Sequence, residues 1–189
     1  MLYKKNGDLF MRWLQSNKSV YTASSDIVEI DLDDVFMLKN QVRNTQDKRV
    51  RICAHQQSYD SLHEMLIVIQ QGSYVRPHKH VNKSESFHII EGALDIVIFD
   101  DFGNILKVIS MGDFQSGKCF FYRLACSHFH TIVLKTELVV FHETTNGPFQ
   151  KEDTIYAPWA PSQDNFCQVD SFLNGLAFQI TQHQNGQKG

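Results

Sequence analysis

The sequence predicts a mainly β domain, a sandwich or jelly-roll barrel with a short helix near each end, and three observations carry that prediction. From Val50 to Phe141 the chain falls into short runs rich in β-branched and aromatic residues, separated by Gly, Asn and Asp. Only four prolines interrupt the 189 residues, so little breaks the run of strands. The segment Asp100-Asp101-Phe102-Gly103-Asn104 supplies the turn that a hairpin between two of those runs requires.

Taken in order, residues 1 to about 25 are polar and poorly patterned. Ile27-Val28-Glu29-Ile30 then reads as a short strand. A helix is predicted from Asp33, because Val35, Leu38 and Val42 recur at helical spacing behind aspartates suited to an N-cap and first turn. The strand-like runs follow: Met65 to Ile69, His88 to Ile90, Leu94 to Phe99, Ile105 to Ile109 and Ile132 to Phe141. After Pro161, the spacing of Val169, Phe172, Leu173 and Leu176 predicts a terminal helix. The domain plan is a strand and helix extension over residues 1–46, a barrel over 47–161, and a C-terminal helix and tail over 162–189.

Composition narrows the partners. A formal charge of -3 and a pI near 6.3 leave no surplus of Lys and Arg for nucleic acid or anionic lipid. Cys53, Cys119, Cys126 and Cys167 form no C-x-x-C pair, which argues against a zinc knuckle or disulfide scaffold and for reduced thiols. The first twenty residues carry Lys4, Lys5, Asp8, Arg12 and Lys18 among scattered apolar positions, unlike a signal peptide. No stretch approaches the roughly 20 apolar residues that span a bilayer. The expectation is a cytoplasmic protein.

The chemistry is concentrated between Gly72 and Gly92, where Tyr74-Val-Arg-Pro-His78-Lys-His80 is followed by Glu85. Two histidines at i and i+2 on a strand face the same side, roughly 6.5 Å apart, within reach of one metal ion. Glu85, after a loop, adds an oxygen donor, and the two glycines suit tight turns. Chance alone would place the three further residues at their offsets around an H-x-H pair about 4 times in 100,000 shuffled chains.

This arrangement, G-x5-H-x-H-x4-E-x6-G, resembles the first motif of the cupin superfamily, whose fold is the jelly-roll β-barrel or double-stranded β-helix. The second cupin motif is present in part. Gly112 opens it and His130 closes it, while Ala125, Ser127 and Leu134 stand where Pro, Gly and Asn are expected. The resemblance thus implies a metal on His78, His80, Glu85 and His130, with His128, of the same strand parity, as the alternative fourth ligand or a substrate contact. Further segments are similar to the WbuC family of cupin-fold metalloproteins: Arg49-Val-Arg51-Ile-Cys-Ala-His55, Leu62-His-Glu-Met65, Lys83-Ser-Glu-Ser-Phe-His88, Phe129-His130-Thr131, Gly147-Pro-Phe149 and Ala157-Pro-Trp-Ala-Pro161. That likeness covers residues 30 to 178. It implies a bacterial protein working on an activated or phosphorylated sugar in surface polysaccharide biosynthesis.

Three imidazoles and a carboxylate leave coordination positions open on Zn, Mn, Fe, Ni or Co. An ion so held polarises a sugar carbonyl or hydroxyl, which favours isomerase or epimerase chemistry. An iron-dependent dioxygenase and a non-catalytic carbohydrate-binding sensor are the alternatives. By strand parity Arg51, His55, Tyr74 and Arg76 join the ligands as substrate contacts, and Arg123 stands on the approach to His130. Arg51, Arg76 and Arg123 suit the anionic part of a substrate. His63, His88 and His142 read as locally hydrogen-bonded, Trp13 and Trp159 as packing residues, and Cys126 as a small apolar filler. A homodimer paired through edge strands is expected, without nucleic acid or membrane partners.

Overall fold

The computed structural model describes residues 12–186. Lys4, Lys5 and Asp8, and residues 187–189 of the tail, lie outside the described residues. The chain enters through a hairpin, β1 (Trp13–Asn17) and β2 (Val20–Ala23), and a helix, α1 (Leu32–Val42). It continues through β3 (Arg49–Cys53), β4 (Leu62–Gln70), β5 (His78–His80), β6 (Glu85–Glu91), β7 (Ala93–Phe99) and β8 (Ile105–Gly112). Then come β9 (Phe121–Leu124), β10 (Phe129–Leu134), β11 (Leu138–Asn146), β12 (Thr154–Tyr156) and the helix α2 (Phe166–Gly186). Among the described residues no helix is long and apolar enough to cross a membrane.

Two sheets result, one ordered β1-β2-β3-β4-β11-β6-β9 and one ordered β12-β5-β10-β7-β8. All pairings within them are antiparallel except β2 with β3. This is the mainly β jelly roll the sequence predicts, present as two facing sheets that do not close into one continuous barrel. Side-chain alternation sorts the apolar residues into layers. Ile67 and Ile69 of β4, Phe87 and Ile89 of β6, and Leu94, Ile96 and Ile98 of β7 meet between the sheets. Leu66 and Val68 point the other way, against Leu38 and Val42 of α1. On the far side Val97 and Phe99 pack against Leu176 and Ile180 of α2.

Local chemistry explains the boundaries. Asp31 caps α1 by accepting from the Asp33 and Asp34 amides, and Asp34 accepts in return from the Asp31 amide. Trp13 donates its indole N–H to Asp34 at 2.7 Å, which ties the hairpin to the helix. Gly72 and Gly92 both adopt a φ of 85°. A Cβ at Gly92 would overlap the Leu138 carbonyl, so the turn after the motif needs glycine.

Two expectations are corrected. Ile27-Val28-Glu29-Ile30 forms no strand; it runs along the surface with Ile27 83% exposed, and the N-terminal strands are the polar hairpin before it. The run Ile132 to Phe141 is two strands in different sheets, β10 and β11. The chain crosses over at Lys135-Thr136-Glu137, where the Thr136 hydroxyl accepts from the Ala93 amide at 3.0 Å and donates to Leu138 O at 2.8 Å. Hydrophobic content is equally high on both sides of a three-residue crossing, so the pattern hides it.

Candidate metal centre

The first motif folds as β5, the turn at Asn82 with φ 57°, and β6. Strand β5 lies between β10 and β12, and His130 stands directly opposite His78 in the register. Glu85 opens β6 in the facing sheet. One candidate ligand thus comes from one sheet and three from the other. Their donor atoms all lie within 4.8 Å of one another.

Each imidazole is oriented through its second nitrogen. His78 Nδ1 lies 2.8 Å from Arg76 O and His130 Nδ1 lies 3.0 Å from His128 O, which fixes the proton on Nδ1 because a carbonyl only accepts. His80 Nδ1 is 3.2 Å from the Thr154 hydroxyl of the neighbouring β12. Both fixed Nε2 lone pairs are then free for a cation, the usual arrangement behind metal-ligating histidines.

The same bonds create a conflict that a cation resolves. His130 Nε2 is 2.9 Å from Glu85 Oε1, yet both atoms are buried without a hydrogen-bond partner. With the imidazole proton on Nδ1, two lone pairs face each other. A positive charge relieves this buried pair, either as a second proton on His130 or as a cation held between the two atoms. Burial raises the Glu85 pKa, but His130, His80 and His78 together outweigh it and hold the carboxyl well below the usual range. Burial works against charge on His130 too, but Glu85 prevails and raises its pKa. Burial, aided by His130, pushes His78 down to about 4 and keeps it neutral at pH 7. The residues fit a divalent transition metal of the imidazole and carboxylate class.

The group opens into a cavity of about 490 Å³ between the sheets, a size suited to a small molecule. Arg51, His55 and Arg76 line it together with His78, His80, Glu85 and His130. Arg76 donates to Ala157 O at 3.1 Å and lies over the Tyr156 ring, its guanidinium carbon 5.1 Å from the centroid. Tyr74, Arg123 and His128 stand elsewhere. Tyr74 donates its hydroxyl to Pro161 O at 3.0 Å and meets Phe172 edge-on. Arg123 is exposed on β9 and donates to Ser84 Oγ at 3.2 Å, while His128 is exposed and offers only its carbonyl to His130.

The segment Ala157-Pro-Trp-Ala-Pro161 has a structural task. Ala157 and Ala160 are buried, the Ala157 amide donates to Pro77 O at 2.8 Å, and Trp159 packs against Phe99 and Phe129. It holds the strand that carries His78 and His80. Trp13 and Trp159 are packing residues, as expected. His63 differs from expectation: it is stacked on His55 with ring centroids 3.9 Å apart, and its buried Nε2 has no hydrogen-bond partner. Cys126 is exposed rather than buried, so it fills no core position.

Sequence reasoning missed Arg49, Lys83, Glu143, Thr154 and Tyr156, which also line the cavity. Arg49 shares strand parity with Arg51, and Glu143 shares it with Phe141 and Thr145, so alternation was the available signal.

The family described as "Domain of unknown function (DUF6016)" matches residues 30–111. No curated protein matches the chain. Among solved structures, a Shewanella oneidensis protein is 12% identical with a TM-score of 0.46, covering 64% of this chain and 75% of that one. Oxalate decarboxylase from Bacillus subtilis is 19% identical with a TM-score of 0.42, and the match covers 51% of this chain but only 24% of the decarboxylase. The cupin domain of Schizosaccharomyces pombe Cnp3 is 14% identical with a TM-score of 0.41, covering 53% of this chain and 66% of that domain.

Proposed function

We propose that this chain is a cupin-type metalloprotein of the WbuC kind, which binds one divalent transition metal and acts on a small anionic sugar derivative. The single observation behind the reading is the His78, His80, Glu85 and His130 group, with its Nδ1 atoms anchored and a buried lone-pair conflict at His130 and Glu85. When bound, the metal supplies a Lewis acid that polarises a substrate oxygen. The chain's own residues do the rest. Arg51 and Arg76 face the cavity and suit an anionic substituent of the ligand. Apolar side chains of Ile67, Val75, Phe87 and Ile132 line the chamber beside them and suit the carbon frame of a small ligand. Isomerase or epimerase chemistry on an activated or phosphorylated sugar, in bacterial surface polysaccharide biosynthesis, is the reading that this combination supports best. The same ligand set also permits an iron-dependent dioxygenase, for which oxygen uptake with the iron-loaded protein is the discriminating observation.

The test is elemental analysis of protein purified without added metal, joined to a thermal-shift screen of sugar phosphates and nucleotide sugars. We expect about one metal ion per wild-type chain, and at least a tenfold drop in occupancy in His78→Ala and Glu85→Gln. Equal metal content in wild type and both variants ends the proposal.

A further inference from the structure

The cavity holds a second polar region, on the wall formed by β3, β4 and β11. Arg49 and Arg51 stand two residues apart on β3 and both line the chamber, with Arg76 contributed by the loop before β5. Among the described residues no carboxylate lies within ion-pair distance of any of these three arginines. Arg51 Nε and Arg76 Nε are buried and have no hydrogen-bond partner. Enclosed guanidinium groups with no carboxylate at ion-pair distance are costly, so such a set suits an anion that comes and goes.

The other charges in the chamber are already occupied. Lys83 pairs with Asp153 at 3.1 Å and donates to Pro148 O at 2.6 Å. Glu85 belongs to the histidine group. What remains is Glu143 on β11, opposite Met65 of β4 and Phe87 of β6 in the register. It stands between the two regions, and its negative charge competes with any anion at the arginines. From β6, which carries Glu85, to β3, which carries the arginines, the sheet spans three strand spacings, roughly 14 Å between backbones. Arginine side chains reaching inward reduce that gap to the length of a small organic molecule. Phe141, Met65 and Ile67 cover the wall between.

We propose that Arg49 and Arg51, joined by Arg76, form an oxyanion subsite for the phosphate or carboxylate end of a small ligand whose other end reaches the metal group, with Glu143 setting its affinity. This rests on the reading of the chamber as the site of an anionic small molecule, and it adds Arg49, Glu143 and the ligand's two-ended character. Arginine is suited to the task because its planar fork matches both oxyanions.

Isothermal calorimetry of the full chain with inorganic phosphate and with malonate, on metal-loaded and chelator-treated samples, tests it. Saturable binding is expected in both samples, weakened about tenfold or more in Arg49→Met and in Arg51→Met and less in Arg49→Lys. Glu143→Gln is expected to tighten it severalfold, a change that loss of fold cannot mimic. Preference for phosphate over malonate, or the reverse, identifies the ligand's anionic group. Absence of binding by either anion, or equal affinity in wild type and Arg49→Met, overturns the subsite. Anion binding by a chain that takes up no metal sinks the metal reading and leaves the subsite standing.

Discussion

Glu143 shows how a single side chain reports on its surroundings. Burial pushes its pKa up to about 7, Glu85 adds to the rise, and Arg51, Arg49 and His130 oppose it. An acid raised on folding holds its proton where the unfolded chain has released it, so between about pH 4.5 and pH 7 the folded state binds more protons. Stability from this group is therefore present at low pH and lost as pH rises through 7. Glu143→Gln removes the effect. Relative to wild type, the variant is expected to gain on the order of 2 kcal/mol between about pH 5 and pH 8, read from urea denaturation in the presence of a chelator. A difference that stays flat across that range refutes this account of Glu143.

At the scale of elements, the two helices do different work from the strands they cover. Leu38 of α1 is fully buried against β3 and β4, with Val50, Ile52 and Val68 around it. Leu38→Ala is expected to cost about 3 kcal/mol through lost burial and the cavity left behind, measured by chemical denaturation with metal content unchanged. Unchanged stability would show that α1 is a loose flap. The residues that predicted α1 were legible because an amphipathic helix repeats its apolar positions at short range and announces its start with Asp31 and Asp34. The His78, His80 and Glu85 set was legible for a similar reason, since strand alternation and one turn bring it together. His130 was reached through a partial motif, because its register with His78 depends on a pairing between distant segments. Alternation places Arg49 on the face of Arg51, but the nearness of Arg49 to Glu143 depends on the pairing of β3 and β11 with the single strand β4 between them, which periodicity within one segment does not encode. The hairpin β1-β2 was hidden by composition: Ser16, Asn17, Lys18 and Ser19 are ordinary turn chemistry, but its strands are half-exposed and polar.

For the whole molecule, the layers run helix, sheet, sheet, helix, and the chamber is the interruption in the apolar seam between the sheets. Glu85 reaches this seam from one sheet, and His78, His80 and His130 reach it from the other. A bound ion would consequently act as a rivet through the sandwich, joining layers that are otherwise connected here by side-chain contact and by the turn between β5 and β6. Its removal is expected to lower the melting temperature by several degrees. Hydrogen exchange should quicken first at β5 and β12, the short strands at the margin of the smaller sheet, while β4 and β7 in the interior keep their protection. Holding the ligand and holding the fold together are then one property of the same four side chains.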